Sequence, residues 1–524
     1  MKTLGARLGW MAPVLTGLVA ACSDGGLPPT QQLPAQTLEA LQDPNTCNTC
    51  HQDHFKEWSG SMHAYASTDP VFRAMNARGQ KETNGALGPF CVKCHAPMAV
   101  LAGATQDGTN LDSVPQKLQG ITCYFCHNVS EVTDVHNNNP LVLSNDRTMR
   151  GGIKSPTPFG AHPAEYSQLF DDDAAQAGFQ SSSLCGSCHD IVVPGHFSGS
   201  TDDVKLEQTF AEWGTSVFAD PNSTNLRLNC TSGGGCHMDR EARVPIANPP
   251  LPHPTMPTRS ARHLHNFPAI DTALTDFPEK DAQLTAVQDK LSTEFRIQIC
   301  ADGPKTLGTG LVTIQLENLS AGHNMPSGAT QDRRFWIEVH AYKQGTELKS
   351  PSTVPVDAAL PSGVVPAGVA ATTIAGTWIL YDQATKVDKT PAHMFWDVAN
   401  LNPTVIPVST SAMPTQNVLG HRPFSGVTQP DRVTVTIWIE AIGLDVIDDM
   451  VESTFLDKSI RDKVQRFPVL LAAARPDPTP DNTPVTFEWT LAQASDPDVA
   501  YVVTDLTCLE NTQPKFGVMP PPAL

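Results

Sequence analysis

Apolar and polar positions follow two different rhythms along this chain. From about residue 46 to 295, apolar residues come in short clusters broken by Asn, Gly, Pro and Asp. That pattern predicts short helices joined by long loops. Residues 52–66 predict one helix, with Phe55, Trp58 and Met62 on one face and His63 on or just past its end. Residues 270–295 predict another, with Leu284, Val287 and Leu291 spaced for one face. Between them, residues 244–257 are too rich in proline for a helix and predict an extended strap.

From about residue 296 the period becomes two. Residues 311–316, 335–342 and 378–381 predict strands. Residues 432–439 alternate Val433, Val435, Ile437 and Ile439 against Thr434, Thr436 and Trp438, as a half-buried strand does. Proline-rich turns separate these runs, and residues 445–464 predict an inserted helix. The expected fold class is α + β multidomain. A loop-rich, mainly helical domain over 46–295 precedes an antiparallel β-sandwich-like domain over 296–524.

The N-terminus has the layout of an export signal. Lys2 and Arg7 are followed by an apolar run, residues 8–21, too short for a stable membrane span. The run ends Val19-Ala20-Ala21-Cys22, the layout of a lipoprotein signal peptide cut before Cys22, which would be lipidated; the alternative is ordinary secretion. Ser23 favours an outer-membrane destination. Residues 22–45 predict a flexible tether. The expected location is therefore the periplasm or cell surface, with a lipid anchor in the outer membrane.

The chemistry lies in a repeated spacing. Cys47-Asn48-Thr49-Cys50-His51 returns as Cys91…Cys94-His95, Cys123…Cys126-His127 and Cys185…Cys188-His189. A stretched version runs from Cys230 to Cys236, with His237 directly after. Two thiols three positions apart can each add to a haem vinyl group, and the following histidine then lies under the iron as its proximal ligand. Zinc half-sites would not fix a histidine after the second cysteine, and a redox dithiol would come once, after a strand. Five c-type haems are expected, making 46–295 a multihaem cytochrome c domain. The glycines inside the fifth motif allow a detour that still brings both sulfurs to one ring; the alternative is that Cys230 pairs elsewhere.

Two cysteines remain in the β-rich part, Cys300 and Cys508. In an exported protein they predict a disulfide tying its ends together; two free buried thiols are the alternative. The chain has 17 histidines, so distal iron ligands are available beyond the five proximal ones. The candidates are His63, His162, His263 or His265, His323 and His196, with His54, His136 and His253 behind them. His340 is expected to be structural, and no ligand role is expected for His393 or His421. Histidine on both faces of each iron would suit electron transfer, whereas an uncapped iron could bind a substrate. A weak internal echo aligns Phe55, Glu57, Trp58 and Ser61 with Phe210, Glu212, Trp213 and Ser216. It predicts a duplicated haem-packing unit in which Phe218 replaces His63.

The formal charge is -19. That argues against nucleic acid as a partner and favours metal cations or basic partners, here redox partner proteins or other cytochromes, if it does more than keep the chain soluble.

Taken together, Cys47 to His51 with Trp58-Ser59-Gly60-Ser61-Met62-His63, the Gly120 to His127 run, Leu184 to Asp190 and Cys236-His237-Met238 resemble the multihaem c-type cytochromes related to hydroxylamine oxidoreductase and its tetrahaem electron-transfer partners. The turn at Gly322 to Gly328, followed by Arg333-Arg334-Phe335-Trp336, resembles larger members with a C-terminal β domain. The resemblance implies that His63 caps a haem. The chain departs from that pattern in its expanded fifth motif, in carrying fewer haems than hydroxylamine oxidoreductase, and in lacking a counterpart of its catalytic centre. The expectation is an exported electron carrier with mostly bis-histidine haems. The alternative is an oxidoreductase acting on a small nitrogen or sulfur compound at one open iron.

Overall fold

The computed structural model describes residues 33–133, 137–155, 160–171, 180–223, 226–231, 236–250, 256–291, 295–304, 308–349, 378–410, 418–425, 427, 429–464, 466–469, 487–503 and 505–512. Cys22, the signal segment, His136 and His253 lie outside these residues, as does the side chain of His421.

The first half is a string of short helices and two-stranded ribbons. Residues 33–45, expected as tether, instead dock onto it. Thr37 caps a helix at Leu38–Leu41 by accepting from Ala40 N at 3.1 Å, and Leu41 is buried with Val92, Met98 and Phe125. Two leucines one turn apart provide the apolar face that a tether lacks. The single helix expected over 52–66 is broken in two, α1 (Gln52–Ser59) and α2 (Met62–Tyr65). Ser61 causes the break. Its hydroxyl donates to Trp58 O at 2.7 Å and caps α2 at Ala64 N. Gly60 permits it, because a Cβ there would lie 2.6 Å from Glu279 Cβ. Helix α3 (Pro70–Glu82) starts at a proline behind the Asp69 cap. Helix α4 (Thr209–Thr215) belongs to the second copy of the echo. Helix α5 covers Lys280–Leu291 rather than all of 270–295, and Pro278 stands just before it.

The second half is built on two antiparallel sheets. One runs in the order β6 (Val418–Ser425), β2 (Leu311–Asn318), β1 (Phe295–Ala301), β11 (Leu506–Thr512), β10 (Ala500–Val503). The other runs β4 (Thr346–Lys349), β3 (Arg334–Lys343), β7 (Arg432–Glu440), β8 (Arg466–Val469). In this second sheet β5 (Trp378–Leu380) also pairs with β3, and β9 (Phe487–Thr490) with β7. Alternate residues of each sheet point into one shared core: Phe295, Ile297 and Ile299 from one, Ile337, Val435 and Ile437 from the other. Cys300 and Cys508 are direct neighbours across β1 and β11 and form a disulfide.

The inserted helix is shorter than 445–464. It is α6 (Leu444–Glu452), followed by a 3₁₀ turn at Lys458–Lys463. Its apolar side, Val446, Ile447 and Met450, packs on Val71, Ala74 and Leu87 of the helical half. Arg78 on α3 reaches Asp449 on α6 at 2.9 Å, and Trp396 donates to Glu82 at 3.0 Å. The two halves are therefore clamped along α3. Among the described residues, no helix is long and apolar enough to cross a membrane.

Candidate haem-binding site

The same backbone bond closes four of the motifs, and the third, Cys123–His127, is itself a turn of α-helix. The histidine N–H donates to the carbonyl of the first cysteine: His51 to Cys47 at 2.8 Å, His95 to Cys91 at 3.3 Å, His189 to Cys185 at 3.0 Å. In the expanded motif His237 N still reaches Cys230 O, at 3.1 Å. The histidine therefore keeps its place relative to the first cysteine across the longer spacing. None of the ten motif cysteines is in a disulfide.

The five histidine rings are then fixed from behind. Nδ1 donates to the carbonyl of Ile246 from His51 (2.7 Å), of Ala66 from His95 (3.1 Å), of Arg150 from His127 (2.5 Å) and of Pro268 from His237 (2.8 Å). His189 differs, since its Nδ1 meets the carboxylate Oε1 of Glu207 at 3.3 Å. A carbonyl can only accept, so the proton sits on Nδ1 and Nε2 presents its lone pair, as a metal-ligating histidine requires. The proline strap takes part directly: besides Ile246, its Asn248 N donates to Cys50 O at 2.6 Å.

Four of the five rings face a second imidazole. His51 and His162 have ring centres 6.4 Å apart, His127 and His265 6.3 Å, His189 and His63 6.3 Å, His237 and His323 6.4 Å. Two imidazole nitrogens bound to one iron at about 2 Å each would set the ring centres roughly 6.3 Å apart. Burial holds His63 and His265 down at about 3 and His237 at about 4. These rings are neutral at neutral pH, the ligating form. His95 has a different neighbour. Phe72 stacks on it at 3.9 Å with the planes 3° apart, and among the described residues no histidine stands opposite.

The other candidates fall elsewhere. His263 donates from Nδ1 to Met238 O at 3.0 Å, in the ribbon formed by Arg240–Ala242 and Ala261–His263. Its neighbour His265 is the one that meets His127. His196 is exposed beside Phe197. His54 packs edge-on against His265, 4.8 Å away. His340 and His393 pair with Glu347 and Asp449. Sequence reasoning missed Glu207 and Phe72, since neither has a fixed spacing from the motif it serves.

Thiols from different motifs meet. Cys47 hydrogen-bonds Cys123, Cys94 bonds Cys188, and Cys185 bonds Cys230. Cys126 lies close enough to Cys185 and Cys188 to feel their charge. The first site thus adjoins the third, and the fourth adjoins the second, third and fifth. The echo is also structural. The Trp58 indole donates to Ile121 O at 2.8 Å and the Trp213 indole to Leu228 O at 3.0 Å, and the serines three residues on, Ser61 and Ser216, are both buried.

These residues fit haem c. Thiol pairs and facing imidazoles at ring spacings suited to an iron coincide at four sites, and at the second motif, Cys91, Cys94 and His95, no second imidazole stands opposite among the described residues.

Residues 46–128 match the family described as cytochrome c554 and c-prime. The structure is similar to that of a penta-heme cytochrome c552 from Thermochromatium tepidum, with a TM-score of 0.51 and 16% identity, covering 82% of this chain and 98% of that one. No curated protein matches the chain. With the motifs, these likenesses support a multihaem c-type cytochrome of mixed α and β structure.

Proposed function

We propose that the chain is an exported, lipid-anchored pentahaem cytochrome that passes electrons between redox partners. The observation that carries this is the set of four facing imidazole pairs, each at the spacing an iron would impose. Bound at these sites, haem c supplies one-electron carriers whose six-coordinate iron changes little between oxidation states. The chain's own residues hold each ring in one orientation through Nδ1, keep Nε2 unprotonated, and set neighbouring attachment points thiol to thiol. That contact order makes the fourth site a junction, with branches toward the second, the fifth, and the third and first. The kinship with hydroxylamine oxidoreductase and its tetrahaem partners, the count of five, and attachment to the outer membrane through Cys22 belong to the same proposal. The match with a penta-heme structure supports the count.

A second reading has an observation of its own. His95 faces no described histidine, so the second site is the place for an open iron able to take a small nitrogen or sulfur compound. Ferric-state electron paramagnetic resonance, with haem counting by mass, tests both. Four low-spin haems and one high-spin haem that shifts on adding nitrite or hydroxylamine would support a catalyst. Five low-spin haems would leave a pure carrier, and fewer than five haems by mass would overturn the assignment of the motifs.

A further inference from the structure

The two echo copies share more than a tryptophan. In the first, Glu57 on α1 accepts from the backbone N–H of His265 at 2.9 Å and pairs with Arg262 at 2.7 Å. In the second, Glu212 on α4 accepts from the backbone N–H of Asn324 at 3.1 Å and from the Ser327 hydroxyl at 2.6 Å. His265 is the ring opposite His127, and Asn324 directly follows His323, the ring opposite His237. The correspondence extends to the attachment points. Helix α1 follows the first motif and holds the segment facing the third; α4 follows the fourth motif and holds the segment facing the fifth. These are two of the motif pairs whose thiols touch, Cys47 with Cys123 and Cys185 with Cys230.

We infer that Glu57 and Glu212 are equivalent positioning residues, each fixing the backbone of the segment that delivers a sixth ligand, to the third and fifth haems respectively. Both ligand-bearing stretches lie where a regular element gives way to irregular chain, past the ribbon strand Ala261–His263 and past β2. Residues 261–265 follow the proline strap, and residues 318–328 project from β2 of the sandwich into the helical half. A carboxylate receiving a backbone N–H fixes main chain whatever the side-chain sequence around it, at net values of about 1.5–3 kcal/mol for a bond to a charged group. In the second copy Phe218 adds a wall, its ring 3.6 Å from the Cβ position of Gly322, whose φ of +73° turns the loop. The β half is thereby part of the fifth site, because it carries His323 and is gripped there by Glu212.

This inference rests on His265 and His323 facing iron, so the test begins with His323→Ala and His265→Ala in the haem-loaded full chain. Each should add one haem equivalent of ferric high-spin signal; if neither does, the ligand assignment fails and not the positioning role. Glu212→Ala should then reproduce part of the His323→Ala spectrum and Glu57→Ala part of the His265→Ala spectrum, with the haem count by mass unchanged. Glu212→Gln should restore the low-spin spectrum, since its amide oxygen still accepts from Asn324. Should the alanine variant fail to assemble, Glu212→Asp, which keeps the charge and withdraws the carboxylate by one methylene, should give the same change. An unchanged spectrum in the Ala and Asp variants, or a Gln variant as altered as the Ala variant, would overturn the inference.

Discussion

The sandwich and the motif-bearing half bury surface by different means. In the sandwich, alternate residues of β1, β2, β3 and β7 meet in one continuous apolar core, and the Cys300–Cys508 disulfide joins its first and last strands. In the other half, the apolar clusters are smaller. Leu41, Phe72, Val92 and Met98 form one, Val71 and Leu87 part of another, while imidazoles and thiols occupy much of the remaining interior. The difference teaches which half can stand alone. A core of protein side chains folds by itself; a set of buried, mutually facing imidazoles is stable only when something binds between them.

The largest expected effect follows. Made without haem attachment, the chain should keep the sandwich and lose the rest: brief proteolysis should leave a fragment beginning near residue 295, whereas equal protection of both halves would end the distinction. Next, replacing Cys300 and Cys508 by serine should lower the stability of the sandwich by about 2–5 kcal/mol, because the link closes a long loop, and leave the haem spectrum alone. Ile437→Ala, at the centre of the shared core, should cost about 2–4 kcal/mol in the same denaturant titration, again with no spectral change.

The smallest effect concerns the joint between the halves. Asp69 caps α3 and lines a cavity there with Asp271, Asp332 and Arg333. Burial, with Asp271 nearby, raises its carboxyl to about 7, against about 3.9 in an unfolded chain. The folded chain therefore binds this proton more tightly. Its contribution is full below about pH 4, falls as pH rises toward 7, and is absent above. Asp69→Asn keeps a capping side chain, so it should raise the melting temperature at pH 8 and flatten that slope; an unaltered pH profile would show that the carboxyl holds its proton no more tightly in the folded chain than in the unfolded one.

What could be read in advance was local. The motif spacing marked the five histidines whose rings are held through Nδ1, because a motif is a matter of a few neighbouring residues. Two-residue alternation marked β2, β3 and β7. The pairing of rings was not legible: His51 with His162, or His63 with His189, depends on where long loops return, and no periodicity encodes that. Proximity in sequence left His263 and His265 open, and their order relative to the ribbon end decides which one reaches His127. The expected helix over 52–66 failed at one serine, whose hydroxyl competes with the helix for Trp58 O. Residues 33–45 looked unstructured by composition, yet two leucines suffice once a surface is present to receive them.

Glu207 has one more consequence. Four of the motif imidazoles lean on amide carbonyls, and His189 alone leans on a carboxylate. A charged acceptor draws the Nδ1 proton further away and makes the ring a stronger donor to whatever metal it serves. Ferric iron gains most from such a donor, so the crossroads of the chain should be its most reluctant point to accept charge. Traffic entering from any branch would then cross a small rise rather than settle in a well, and Glu207→Gln should move that one midpoint upward.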